Sequence, residues 1–244
     1  MEPKNPFEGI QTYGNFGLLW LFAVVILAIQ VASLLLMEIP ARALGVKFDT
    51  YEASIPGFIL TALASWSLLA DLGVSWRQAW SDWQANALAD LRKALRYLPG
   101  YAGVLLGMGL VLAAAYYIWD DSFAALMKHV SASGADQEAS VKAMAFSAPR
   151  FALLLLLACV AAPLAEELFF RRIVFASLRA RKGFWFSALC SSLLFALFHG
   201  GGAPVTLLPG VYFCWVYEKE RRLPANVMLH GLVNFFAVLF RTFS

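Results

Sequence analysis

The stretch Phe16-Gly-Leu-Leu-Trp-Leu-Phe-Ala-Val-Val-Ile-Leu-Ala-Ile-Gln-Val-Ala-Ser-Leu-Leu-Leu-Met37 decides the fold class. Only Gln30 and Ser33 interrupt it, and about 20 mostly apolar residues are enough to cross a bilayer as a helix. The run is too long for a signal-peptide core and follows acidic Glu2 and Glu8. It therefore reads as a retained helix, although Ala41-Arg42-Ala43 resembles a cleavage site. Six more apolar runs follow: Ile55–Val74, Tyr101–Trp119, Phe151–Ala165, Phe184–Phe198, a short Val205–Tyr217 broken by Pro209-Gly210, and Ala225–Phe240. Only helices and closed barrels satisfy their backbone in lipid, and the alternation of barrel strands is missing. The expected fold is all-α, a polytopic membrane bundle of about seven transmembrane helices plus one interfacial amphipathic helix.

Composition points the same way. Of 244 residues 61% are hydrophobic and 14% charged, against ~45–50% and ~25% in soluble domains. That balance excludes a soluble enzyme, a disordered chain and a nucleic-acid-binding domain. Cys159, Cys190 and Cys214 all lie in apolar runs, as small buried hydrophobes rather than a disulfide framework or thiolate metal site. With seven spans, one side collects thirteen of the 19 basic residues, among them Lys4, Arg77, Arg171, Arg181 and Arg222. The positive-inside rule makes that side cytoplasmic, with the N-terminus inside. The expected location is the bacterial inner membrane.

Two connections carry further expectations. In residues 75–98 Trp76, Trp80, Trp83, Ala87, Leu91, Leu95 and Leu98 recur at helical spacing. Ser75 and Gln78 form a capping-box start and Pro99-Gly100 a stop. This is the pattern of a helix in the headgroup layer, or equally of one packed on the bundle. Residues 120–149 are polar and read as an external loop with one helical turn near Phe123–Val130. His129 stands alone there and receives no catalytic role. The step Gly103-Val-Leu-Leu-Gly107 permits close packing within the bundle. The division expected is 1–149, membrane helices with the interfacial helix and external loop, and 150–244, the chemistry-bearing bundle, within one structural unit.

The informative residues are polar groups in apolar surroundings, where a charge costs about 2.5–3.5 kcal/mol even on the lenient insertion scale. In Glu166-Glu167-Leu-Phe-Phe-Arg171, Glu167 and Arg171 are i and i+4 and can neutralise each other. Glu166 points about 100° away, has no local cation and must find partners on other helices. Such a carboxylate suits a general base. In Phe195-Ala-Leu-Phe-His199 the imidazole ends a helix before Gly200-Gly201-Gly202. In His230-Gly-Leu-Val-Asn234 an imidazole and an amide share one helix face and could hold an oxyanion. Gathering these groups in one cavity relieves several burial penalties together. His-Glu-x-x-His, Gly-x-Ser-x-Gly and a Walker loop are all missing.

These three segments, in this order, resemble the CAAX-processing and bacteriocin-processing (CPBP or Abi) family of intramembrane proteases. Its signature is Glu-Glu-x-x-x-Arg, Phe-x-x-x-His and His-x-x-x-Asn. The resemblance covers roughly Phe151–Phe240. It implies peptide-bond hydrolysis at the membrane, with Glu166 and His199 activating water, and His230 and Asn234 stabilising the oxyanion. Glu167, Arg171 and Phe195 would support them. The partners it implies are membrane lipid and a hydrophobic or lipidated protein or peptide. The cofactor stays open between none and zinc held by Glu166, His199 and His230. A non-catalytic immunity, scaffold or transport partner, and a proton-relaying transporter, are the competing readings.

Depth adds a constraint. For Glu166 and His199 to meet, the helix bearing Glu166 must run to about Ala180 and turn near Arg181–Gly183. Both residues then stand ~24 Å from that turn. The hairpin would protrude into the cytoplasm, and Gly200–Pro209 would be irregular.

Overall fold

The computed structural model describes residues 5–46, 48–118 and 121–243. Glu2, Lys4, Trp119 and the first residue of the 120–149 segment, which entered the readings above, lie outside them. No strand occurs among the described residues, and the chain folds as an all-α bundle. Its helices are α1 (Phe16–Leu44), α2 (Thr50–Ala53), α3 (Ile55–Asp71), α4 (Trp76–Ile118), α5 (Asp121–Ala145), α6 (Ala148–Arg179), α7 (Phe184–Leu197), α8 (Ala203–Glu220) and α9 (Leu223–Phe243). Every apolar run is helical. Among the described residues five helices, counting α2 and α3 as one, are long and apolar enough to cross a membrane. At 14 residues α7 is only ~21 Å long.

Helix α6 is the axis of the bundle. Phe169, Ile173 and Phe175 on it are fully buried, and α3, α7 and α9 pack around it. On α1 and α4 the outward residues are leucines, valines and isoleucines, such as Leu35, Leu106 and Leu110. An apolar exterior of this extent belongs against lipid rather than water. As the depth constraint requires, α6 runs to Arg179, and residues 180–183 make the turn into α7. The residues before α1 close over this turn. Asn5 donates to the Arg179 carbonyl (2.5 Å), and the Tyr13 backbone N–H donates to Ser177 Oγ (3.1 Å). Phe7 is buried against Phe175 and Tyr217. Arg179 forks onto Glu218 at 2.8 and 3.0 Å, fixing the hairpin to the end of α8.

Three expectations are corrected. Pro99-Gly100 does not stop α4, which runs unbroken for 43 residues. Contacts on both sides of Pro99 override the local signal. Tyr97 is held by the Tyr212 hydroxyl on its carbonyl (2.7 Å) and by Glu220 on its own hydroxyl (2.7 Å), while Tyr101 packs on Phe213. The loop expected over 120–149 is instead α5, 25 residues long. Its polar composition hid two buried anchors, Val141 and Met144, which pack on Leu154, Ala158 and Val238. The irregular stretch expected over Gly200–Pro209 is confined to one 3-10 turn, Gly200–Gly202, with Gly200 at φ +53°. Pro204 then sits in the first turn of α8, where a proline costs nothing, and Pro209 is accommodated inside the helix.

In α4 Leu88 and Leu95 are exposed, roughly across the helix from the buried Asp90 and Ala94, while Trp76 and Trp80 are exposed on the same side as that buried pair. Trp76 also packs on Trp66 of α3, ring centroids 5.1 Å apart, so the tryptophan stripe turns toward the bundle, as in a helix packed on it. Asp90 is met by Arg222, in the α8–α9 turn, through Nε (2.5 Å) and Nη2 (2.7 Å). Lys93 and Arg96 hold Glu220 at 2.6 and 2.7 Å. Burial alone would raise the Glu220 carboxyl, but Lys93, Tyr97 and Arg96 outweigh it and hold the group below the usual carboxylate range. That contribution is present at neutral pH and is lost as acid protonates the group.

Arg222→Ala leaves the buried Asp90 charge without its partner. Stripping one member from a buried pair costs on the order of 3–5 kcal/mol. The variant is expected to unfold at clearly lower temperature in detergent, and Asp90→Ala added to it should recover part of the loss. A double variant as unstable as the single one would contradict the pairing.

Candidate functional site

Two π-helical segments interrupt α6, at Leu157–Ala161 and Glu167–Phe175. A π turn widens the helix and frees carbonyls from the α ladder, a device that often marks functional sites. Here the freed groups receive side chains from neighbouring helices. Ala158 O accepts from Asn234 Nδ2 (2.7 Å), and Phe170 O accepts from Ser191 Oγ (2.7 Å). Gly231 faces Cys159 of the first π segment so closely that a Cβ would overlap the Cys159 carbonyl oxygen. Helix α9 thus comes against α6 backbone to backbone, one residue from His230.

Glu167 and Arg171 form the buried foundation. Both side chains are 0% exposed, with Arg171 Nη1 3.2 Å from Glu167 Oε1. The guanidinium also lies over Phe195 (4.4 Å) and Phe213 (5.2 Å) and donates from Nη2 to Gly210 O (3.4 Å). Glu167 is thereby held as an anion that only accepts. Its Oε1 meets His230 Nδ1 at 3.0 Å and its Oε2 meets Asn226 Nδ2 at 3.0 Å. His230 therefore carries a proton on Nδ1 and turns Nε2 outward. That Nε2 stands 3.7 Å from Glu166 Oε2. The imidazole is clamped on its faces, stacked on Phe213 at 4.7 Å with Phe195 at 6.0 Å.

His199 approaches from the end of α7. Its ring lies 4.4 Å from the Phe195 ring, and its Nδ1 is 2.7 Å from the Phe195 carbonyl. A carbonyl only accepts, so Nδ1 again carries the proton and Nε2 is free. Both imidazoles flank Phe195, so the distance between them cannot exceed those two ring separations combined. The glycine turn after His199 is covered by α5, where Ser133 and His129 lie against Gly201.

The expected residues fall into place unequally. Glu166, Glu167, Arg171, Phe195 and His230 form one contiguous cluster, and His199 joins it through Phe195. Glu166 is partly exposed (19% of the side chain) while Glu167 is sealed, matching the unlike environments read from their helix positions. Asn234 is committed to Ala158 by one of its amide N–H groups. Asn226, which sequence reading missed, is fully buried between Glu167 and the Phe213 carbonyl (3.0 Å). Its signal was its spacing, one helical turn before His230 on the same face. His129 also lies nearer the site than a solitary loop histidine would.

Zinc binding asks for three side chains converging at ~2.0–2.2 Å from one point. Among the described residues no three His, Cys, Asp or Glu side chains converge closely enough to hold a metal ion. In this conformation Glu166, His199 and His230 do not make a ready-built zinc site, and Glu166 already faces His230.

Comparison with known proteins bears on the same region. Residues 148–236 match the family model described as Type II CAAX prenyl endopeptidase Rce1-like. YdiL of Bacillus subtilis (strain 168), which carries a provisional membrane-peptidase name, is 28% identical over 89 residues, 36% of each chain. The membrane-embedded CAAX protease MroQ of Staphylococcus aureus (strain USA300) is 38% identical over 87 residues, 32% of this chain and 35% of its own. The UPF0177 protein YxdF of Lactococcus lactis subsp. lactis (strain IL1403) is 37% identical over 78 residues, 30% of this chain and 42% of its own. The alignments thus span well under half of each relative. No solved structure gives a significant match. Residues 148–236, which carry the polar cluster, are thus the part of the chain that is similar to membrane CAAX proteases.

Gly231→Ala tests the backbone contact between α9 and α6. The added methyl must push the helices apart, and overpacking of this kind costs ~1–3 kcal/mol. Thermal unfolding in detergent should occur at lower temperature than for the native chain. A variant as stable as the native one would show that α9 does not approach α6 this closely.

Proposed function

We propose that the chain is an intramembrane endopeptidase that hydrolyses a peptide bond of a hydrophobic, membrane-associated or lipidated protein or peptide. The observation that carries this reading is the pairing of Glu166 with His230 over the sealed Glu167–Arg171 pair. One carboxylate is spent on structure, and the other is left to do chemistry. The positive-inside pattern supports a cytoplasmic N-terminus and a cytoplasmic hairpin at residues 180–183, with the membrane as the source of substrate.

In the proposed reaction Glu166 takes a proton from water as the water oxygen bonds to the scissile carbonyl carbon. The free Nε2 of His199 accepts the second water hydrogen as a hydrogen bond and orients the nucleophile. The carbonyl π electrons move to oxygen. The oxyanion is met by His230 when its Nε2 carries a proton, and by the second N–H of Asn234. A proton on both ring nitrogens leaves two carboxylates facing two cations, Arg171 and His230, a neutral set in a poorly polarisable surrounding. The C–N bond then breaks as Glu166 passes its proton to the leaving amine, yielding a carboxyl and an amine terminus. No metal takes part in the steps written here. Interactions that strengthen only as charge develops are the ones that accelerate hydrolysis.

Glu166→Gln keeps size and hydrogen bonding but removes the base, which contributes typically 10²–10⁴-fold. Cleavage of a peptide library, read by mass spectrometry with the purified full chain, should fall by about 10²-fold or more, with thermal unfolding unchanged. His199→Gln should do the same. Native cleavage rates in both variants would refute the mechanism.

A further inference from the structure

We propose that Asn226 is a positioning residue for His230, acting through Glu167. This inference rests on the hydrolytic reading above and extends it to a residue outside the three sequence motifs. Asn226 is 0% exposed. Its Nδ2 donates at 3.0 Å to Glu167 Oε2 and at 3.0 Å to the Phe213 carbonyl. Both partners only accept, so the amide orientation is fixed and a carboxylate at this position would face two acceptors.

Each oxygen of Glu167 has its own duty. Oε1 accepts from His230 Nδ1 and lies 3.2 Å from Arg171 Nη1 as its ion-pair partner, and Oε2 accepts from Asn226. Without Asn226 the carboxyl is free to rotate about its terminal bond and to turn toward Arg171, withdrawing the acceptor that sets the His230 ring. Phe213 couples the two ends of this arrangement. Its carbonyl holds Asn226, and its ring stacks on His230 at 4.7 Å. Asn226 therefore ties Glu167 to the same residue that forms the floor under the imidazole. The groups facing His230 are Glu166 and Glu167 from α6, Phe195 from α7 and Phe213 from α8, with Arg171 beyond them paired to Glu167. Of these, only Glu167 receives a hydrogen bond from the His230 Nδ1 proton. A ring displaced by ~1 Å from its productive position loses on the order of 10²-fold in rate.

The test uses the purified full chain in detergent with Asn226→Asp and Asn226→Ala. Asn226→Asp preserves shape and removes the donor, and Asn226→Ala removes the group. Cleavage of a peptide substrate drawn from the library gives kcat and KM. Histidine-selective ¹⁵N NMR gives the His230 Nδ1 proton, assigned by its loss in His230→Gln. The expected result is a kcat lowered about 10–100-fold with KM changed less than twofold, and an Nδ1 resonance shifted or exchange-broadened in both variants. A resonance unmoved in either folded variant overturns the proposal, whether or not kcat falls, because the loss would then reflect fold alone. An unchanged kcat with a cleaving native chain overturns it too. If the native chain does not cleave while the resonance moves on substitution, the hydrolytic reading fails and the Asn226–Glu167–His230 linkage stands.

Discussion

The rest of the structure depends on the ion pair of Glu167 and Arg171, sealed in a bundle whose outside is apolar. Neither charge can reach water, and breaking such a pair leaves an uncompensated charge at a cost of about 3–5 kcal/mol. The bundle supplies hydrogen bonds to both carboxylate oxygens and one to the guanidinium, whose Nε and Nη1 have no hydrogen-bond partner among the described residues. Gly210, Phe195 and Phe213 surround the guanidinium, while His230 and Asn226 occupy the carboxylate. Four helices meet around this one pair, and their packing is in large part a consequence of satisfying it.

From that constraint the differentiation of two adjacent glutamates follows. Identical in sequence terms, they differ by a fraction of a helical turn. Glu167 points into the packed centre and is consumed by structure. Glu166 points toward the His230 edge, retains access to its surroundings, and faces an imidazole at 3.7 Å. The two histidines are treated alike. Each gives its Nδ1 proton to a fixed acceptor, Glu167 or the Phe195 carbonyl, so each presents Nε2. One phenylalanine, Phe195, spaces the two rings.

Much of this was legible before any coordinates. Apolar runs gave α1, α3, α6, α7, α8, α9 and the second half of α4, because lipid permits no other way to satisfy a single-segment backbone. The i, i+4 spacing gave the Glu167–Arg171 pair, and the need to bring Glu166 level with His199 gave the extension of α6 to its turn. What escaped had nonlocal causes. Pro99 stops helices in isolation, yet contacts from Tyr212, Phe213 and Glu220 hold α4 through it. α5 has a polar sequence because, among its described side chains, Val141 and Met144 alone are fully buried against the bundle. The π segments of α6 leave no periodic trace, and Asn226 looks like an ordinary first-turn residue until α9 is laid against α6. The strap of Asn5, Phe7 and Tyr13 escaped because short irregular segments carry no period at all.

The most direct measurement of the central claim is the fate of solvent oxygen during cleavage. Peptide substrate is incubated with the purified chain in ¹⁸O-water containing hydroxylamine, and products are read by mass spectrometry. Water activated by Glu166 and His199 attacks the peptide bond itself, so each new carboxyl terminus should carry one solvent oxygen and no hydroxamate should form. Hydroxamate products would reveal an acyl intermediate on the protein and contradict the account, as would a complete lack of cleavage.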